Sequence, residues 1–138
     1  MRLMLDTCVI IDLLTDIDSL SKGAQDMIDD TENILYASCE TMRELVVHFN
    51  RKKLLSKRWK CAKDVLMFVE NDLGIEFLPI RRDVGYTYSR LQLNEAQEHY
   101  DPSDHVIISH AITERMALLS SDTKFPFYRD QGLELIEY

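Results

Sequence analysis

Chain breakers are scarce here, with only four glycines and three prolines among 138 residues. Linkers and low-complexity tracts are made of such residues, and no internal repeat is visible, so the expectation is one compact domain over residues 1–138, rich in regular structure. Cysteine is scarce too: Cys8, Cys39 and Cys61 are odd in number, widely spaced and set among apolar or helix-forming neighbours. That matches neither a disulfide framework nor a zinc-ligand spacing, and it fits a reducing cytoplasm. No apolar stretch approaches the ~20 residues a membrane span requires, and the opening residues lack signal-peptide form. A soluble, cytoplasmic protein without membrane partners is therefore expected. Its 46% hydrophobic content is enough to bury a core without disulfides or a structural metal.

Positive charge is in deficit, with a formal net charge of −8, which at first argues against nucleic-acid binding. The distribution argues otherwise. The stretch RKKLLSKRWKCAK, from Arg51 to Lys63, holds seven of the sixteen basic residues and no acid. Arg51, Lys52, Lys53, Lys57, Arg58 and Lys60 thus form a basic strip on an acidic body, suited to a nucleic-acid backbone; the same strip also reads as a solvated helix face whose stems cover apolar surface.

Short apolar runs of strand length occur at Leu3 to Leu5, Ile34 to Ala37, Ile75 to Ile80, Ala117 to Leu119 and Leu133 to Ile136. Helix-period segments separate them. Met42, Leu45, Val46 and Phe49 follow the i, i+3, i+4, i+7 spacing, and Leu55, Trp59, Ala62, Leu66 and Val69 predict a second amphipathic helix running through the basic strip. Val84, Tyr88 and Leu91 mark a third, and Val106 to Met116 a fourth that is apolar nearly all round. Strands alternating with helices predict an α/β domain of three layers, with a central, mainly parallel sheet of four to five strands.

In such a sheet all strands point their C-terminal ends to one edge, where the following helices begin. Asp6 follows the first strand and Asp122 follows the strand ending near Ser121, so both belong at that edge. Glu44 lies roughly 9 Å into the helix after the second strand, whose expected N-cap is Ser38, and a long side chain can reach back. Asp101-Pro102-Ser103-Asp104 reads as a helix start on the helix leading into the Ala117 strand, so that start faces the same edge. Each acid also has a plainer reading: Asp6, Asp101 and Asp104 as helix caps, Asp122 as a turn residue. Glu44 is the most informative, because a charge among Met42, Leu45 and Val46 is costly to bury without a partner. Carboxylates crowded in this way raise one another's pKa unless cations join them, and an all-oxygen donor set selects Mg²⁺ or Mn²⁺, one or two ions. Such a site suits phosphodiester hydrolysis.

At these residues the sequence resembles the PIN-domain nucleases, specifically the VapC-type toxins of bacterial toxin–antitoxin pairs. MLDTCVIIDLL resembles the family's first strand ending in Asp, SCETMRELV its Ser, Thr and Glu spacing, DPSDHVIISHA its third acidic motif, and LLSSDTKF its final strand with the fourth acid. The likeness spans nearly the whole chain in the family's order. It implies that Asp6, Glu44, Asp104 and Asp122 are the metal-binding catalytic acids, with Asp101 auxiliary, and that Thr7, Ser38 and Ser121 support them through hydrogen bonds. It further implies a PIN-like fold, usually dimeric, that cleaves RNA endonucleolytically to leave a 5′-phosphate and a 3′-hydroxyl. A cognate antitoxin would block the site with a peptide segment. The chain departs from the pattern at His105, where the toxins commonly carry Arg.

His48, His99, His105 and His110 form no ligand set with the cysteines and read as solvent-facing or hydrogen-bonded. Trp59 fits a core position better than a base-stacking one, and Cys8, with no activating His or Lys nearby in sequence, fits a buried small side chain better than a nucleophile. Two other functions compete with the nuclease. One is a catalytically silent module of the same fold that binds RNA or a protein. The other, more distant, is a phosphate-accepting Asp pocket, which would need a second Asp where Cys8 stands.

Overall fold

The computed structural model describes residues 1–138. Five strands, β1 (Arg2–Leu5), β2 (Ile34–Ser38), β3 (Ile75–Leu78), β4 (Ala117–Ser120) and β5 (Leu135–Glu137), form one sheet in the order β3-β2-β1-β4-β5. Every pairing is parallel, with Leu3 opposite both Leu35 and Ala117 and Met4 opposite both Tyr36 and Leu118. Six helices connect them: α1 (Thr7–Thr15), α2 (Lys22–Asp29), α3 (Cys39–Asn50), α4 (Ala62–Asn71), α5 (Arg82–Arg90) and α6 (Pro102–Glu114).

The period of two in the strands builds the layers. Leu3, Leu5, Leu35, Ala37, Ala117 and Leu119 face one side, where they pack with Val9, Ile10, Leu45, Val65 and Val69 from α1, α3 and α4. Met4 and Leu118 face the other, with Ile107, Ile108 and Ala111 of α6. All six strand residues from Leu3 to Leu5 and Ala117 to Leu119 are at most 3% exposed, so the two central strands read as continuous apolar runs, as a sheet covered on both faces requires. The three-layer α/β/α arrangement is thus the expected one. The chain lays β2 and β3 to one side of β1 and then crosses to lay β4 and β5 on the other. The switch point lies between β1 and β4, and sheets of this kind bind their ligands outside the carboxyl ends of the strands at that position.

The helix expected through the basic strip is not there. Lys52 takes a left-handed conformation (φ 58°) that ends α3, residues 51 to 61 run as turns, and α4 begins only at Ala62. Leu54 and Trp59 pin this segment into the core, while Leu55, which the helical reading placed inward, is 79% exposed. Two anchors five residues apart fit no helix face, and the residues between them are charged or polar apart from the exposed Leu55. Trp59 meets Phe68 edge to face, and the Arg58 guanidinium lies 4.8 Å from the Phe68 ring. The other cations of the strip stay in solvent. Helix α2 had no sequence signal of its own, being eight residues long and mostly polar.

Candidate active site

Asp6 stands where β1 becomes α1. Its Oδ1 accepts the Thr7 N–H at 2.8 Å and caps the helix, and its Oδ2 accepts the Ser120 hydroxyl at 2.7 Å and the Cys8 thiol at 3.4 Å. Cap and site residue are therefore one and the same group. Across the switch point the Ser120 hydroxyl also accepts the Asp122 N–H at 3.1 Å, while Asp122 Oδ1 closes a turn on the Lys124 N–H. Glu44 reaches back from α3: its Oε1 accepts the Thr7 hydroxyl at 2.6 Å, and Thr7 meets Thr41 at 2.9 Å. Asp101 caps α6 through the Ser103 N–H, and Asp104, three residues on, receives His99 Nε2 at 2.9 Å on its Oδ2.

All five carboxylates line one open cleft of about 410 Å³, together with Thr7, Cys8, Ile11, His48 and Ser121. No lysine or arginine lines it. A larger groove of about 820 Å³ along Arg58, Trp59, Lys60 and α4 shares none of these residues. The cation nearest the acids in charge terms is Arg43, tied to Glu40 and Ser103 at the rim and facing Glu44 and Asp101.

Electrostatics follows from this crowding. Burial raises the Asp6 carboxyl above the usual carboxylate range, against hydrogen bonds from Ser120, Cys8 and Thr7, and the Asp122 charge adds to the rise. Glu44 is raised by burial, opposed by its bond from Thr7 and reinforced by Asp6, Asp101 and Glu40. Asp104 is pushed up to about 8, first by burial and then by the charges of Asp6, Asp101, Asp122 and Glu44. Oxygen donors that cannot all ionise without a counter-charge are the donor set a hard divalent cation requires, so the residues fit Mg²⁺ or Mn²⁺. Burial and the adjacent Asp6 charge push the Cys8 thiol up to about 12, which removes it as a nucleophile.

The supporting residues differ from those expected. Thr7 holds Glu44 as anticipated. Ser38 does not reach the acids: its hydroxyl accepts the Glu40 N–H at 3.1 Å as the N-cap of α3 and pairs with His110 Nδ1 at 2.8 Å, fully buried on the far side of the strand end. Ser121 is exposed at the cleft edge, where its hydroxyl meets only the Cys8 thiol at 3.9 Å. Ser120 and Thr41, not singled out in the sequence, also make hydrogen bonds among these side chains, Ser120 to Asp6 and Thr41 with Thr7. Both were legible: Ser120 shares the parity of Leu118, Met4 and Asp6, and Thr41 lies one helical turn before Glu44. Ser38→Ala is thus expected to cost about 2 kcal/mol of stability, through a lost cap and an unpaired buried imidazole, while leaving divalent-cation uptake unchanged. Denaturant unfolding and Mn²⁺ titration of the same preparation check both halves.

His105 does not face the cleft. It is 2% exposed, and its Nε2 donates to the His99 carbonyl at 2.9 Å. His99, His105 and His110 are all buried and hydrogen-bonded, one of the two states anticipated for them, though His99 contacts a candidate acid directly.

The PIN domain family model matches residues 3–130. Among solved structures, VapBC2 from Rickettsia felis bound to a promoter DNA fragment is similar at TM-score 0.73 and 21% identity, over 99% of this chain and 98% of that one. VapBC-1 from nontypeable Haemophilus influenzae follows at TM-score 0.71 and 18% identity, with the same coverage. FitAcB from Neisseria gonorrhoeae gives 0.61 and 21%, over 98% and 96%. No curated protein sequence matches significantly. A family model spanning most of the chain and a fold shared end to end with these structures agree with the switch-point site, and the chain belongs to the PIN domain family.

Proposed function

We propose that this chain is a divalent-cation-dependent endoribonuclease and serves as the toxin of a toxin–antitoxin pair. The observation that carries the reading is the convergence of Asp6, Glu44, Asp104 and Asp122, from four distant parts of the sequence, into one cleft without a lysine or arginine. These four would hold one or two Mg²⁺ or Mn²⁺ ions, with Asp101 at the rim as an auxiliary ligand. When bound, the cation supplies charge neutralisation at the phosphodiester and acidifies a water for in-line attack.

The chain's own residues supply the rest. Thr7 and Ser120 each donate a hydroxyl proton to a candidate ligand and so leave its outer lone pairs directed to the cleft. Raised to about 8, the Asp104 carboxyl can exchange a proton near neutral pH while no cation is bound. Since His105 is turned inward, substrate grip falls to the solvent-exposed Arg51, Lys52, Lys53, Lys57, Arg58 and Lys60. Partners of this reading are RNA, an antitoxin whose segment enters the cleft and a second copy of the chain, all in the cytoplasm. The antitoxin is supported by the VapBC and FitAcB complexes that share the fold.

The test is cleavage of a mixed RNA pool by purified protein. Cleavage should require Mg²⁺ or Mn²⁺, stop with chelator and vanish in Asp104→Asn, and expression of the wild type should arrest growth where that of Asp104→Asn does not. A wild type that binds RNA and never cuts it, with every cation supplied, would overturn the enzyme in favour of a silent binding module. Lys53→Gln with Lys57→Gln, which spares the Arg58 stack on Phe68, should weaken RNA binding. The slope of log affinity on log salt should flatten by roughly 0.7 to 0.9 per lost phosphate contact. An unaltered slope would leave these lysines to solvation alone.

A further inference from the structure

Beneath the cleft lies a buried polar chain that the proposed reaction does not use. His99 is 2% exposed and both its ring nitrogens are engaged: Nε2 with Asp104 Oδ2 and Nδ1 with the Tyr128 hydroxyl, each at 2.9 Å. The Tyr128 oxygen already accepts the Asn94 N–H at 3.1 Å, and Tyr128 is fully buried.

Counting protons fixes the direction. A phenol has one hydrogen to give, and in this pocket the only other partner of Tyr128 Oη is His99 Nδ1. If Nδ1 carried a proton instead, the Tyr128 hydrogen would be buried without an acceptor, a loss of about 1–3 kcal/mol. Nδ1 therefore accepts, Nε2 carries the N–H, and the bond to Asp104 is a donation from a neutral imidazole. A ring protonated on both nitrogens would strand the same Tyr128 hydrogen, so the hydrogen-bond count itself calls for the neutral ring.

The ring is also held mechanically. His105 donates to the His99 carbonyl at 2.9 Å and stands edge-on to its ring at a centroid distance of 4.9 Å, with Phe125 at 5.6 Å and Tyr128 at 5.5 Å on other sides. The His99, Asp104 and Asp122 donor atoms all lie within 4.8 Å of one another. One donor on Oδ2 orients the Asp104 carboxylate and leaves Oδ1 free of protein partners on the cleft side.

We propose that His99 is a positioning residue, locked as the Nε2–H tautomer by Tyr128, which aims the Asp104 carboxylate at the cation. His105 is the brace that holds His99 in place. The inference rests on the nuclease reading only in taking Asp104 as a cation ligand. Outer-shell partners of this kind are worth roughly 10–100-fold in metal affinity.

The experiment has two arms, neither of which depends on turnover. In the first, long-range ¹H–¹⁵N correlation on metal-free wild type should show His99 with Nε2 protonated and Nδ1 bare; an Nδ1–H ring overturns the relay. In the second, Mn²⁺ affinity is measured for wild type, His99→Phe, His99→Gln, Asp104→Asn and the His99→Phe/Asp104→Asn double variant. His99→Phe should bind Mn²⁺ 10–100-fold more weakly, and His99→Gln, which returns an N–H donor, should recover most of that loss. Added to Asp104→Asn, His99→Phe should cost nothing further, because its effect passes through Asp104. Equal affinities for wild type and His99→Phe, or a full additional loss in the double variant, would reject the positioning role while the nuclease reading stands. A wild type that takes up no Mn²⁺ rejects both. Should His99→Phe misfold, the tautomer measurement and His99→Gln decide the matter.

Discussion

Asp6→Asn protein is expected to fold at least as well as wild type and to cut no RNA. The asparagine keeps an oxygen to accept the Thr7 N–H, so the α1 cap survives, while a charge leaves a fully enclosed site whose ionisation burial already opposes. Loss of a neighbouring hydrogen bond at such sites costs roughly 10–100-fold, and removal of a residue that would itself hold the cation should exceed that. Thermal melting and single-turnover cleavage of the same sample give the two readings together. Unchanged cleavage would remove Asp6 from the site, and a large fall in melting temperature would make it chiefly a structural cap.

The metal-free protein should lose stability as pH rises, and a divalent cation should restore it. Asp104 titrates near 8 in the folded chain against roughly 3.9 when unfolded, so between those values the native state holds a proton that the unfolded state releases. Its contribution is complete below the unfolded value and disappears as pH climbs through about 8; Asp6 and Glu44 are raised and act in the same direction. With the carboxylates ionised, a cation at a hundred times its dissociation constant adds about 2.7 kcal/mol, on the order of 10 °C in melting temperature for a chain of this size. At about pH 5 protons occupy the same oxygens and the cation should add little. Melting curves in chelator and in Mn²⁺ at about pH 5, pH 7 and pH 8.5 separate the cases. His48, His99 and His110, whose pKa values are lowered, act in the opposite direction below about pH 7, so chelated protein whose stability is flat or rises between about pH 7 and 8.5 would contradict the crowding.

The strands were legible because a sheet covered on both faces must be built from short apolar runs, and Leu3 to Leu5 and Ala117 to Leu119 have no other use. Parallel geometry then carried Asp6, Glu44, Asp104 and Asp122 to one edge without any side-chain information. What escaped was set by tertiary contact. His99 sits in an irregular segment, and nothing in its neighbours announces that Asp104 and Tyr128 will close on its two nitrogens. Ser38 has the right spacing for the acids, but its hydroxyl is claimed by a helix end and by His110 from another layer. Of the Leu55 to Val69 pattern only the half from Ala62 is helical, in α4; Trp59 is buried as well, but from a turn. Ser120, one residue before the Ser121 of the sequence reading, is the serine that meets Asp6, because one step along a strand turns a side chain to the opposite face.

The crossing of the chain between β1 and β4 fixes when this protein becomes complete during its synthesis. Leu3 pairs with Ala117, and Asp6 is held by Ser120, so the first strand emerges from the ribosome long before its right-hand neighbour exists. At 5–20 residues per second that interval lasts on the order of ten seconds, during which no nascent fragment assembles all four acids. A chain broken off before Ala117 lacks Asp122 and the strand that pairs with β1 and holds Asp6 through Ser120, so no such fragment gathers the four carboxylates.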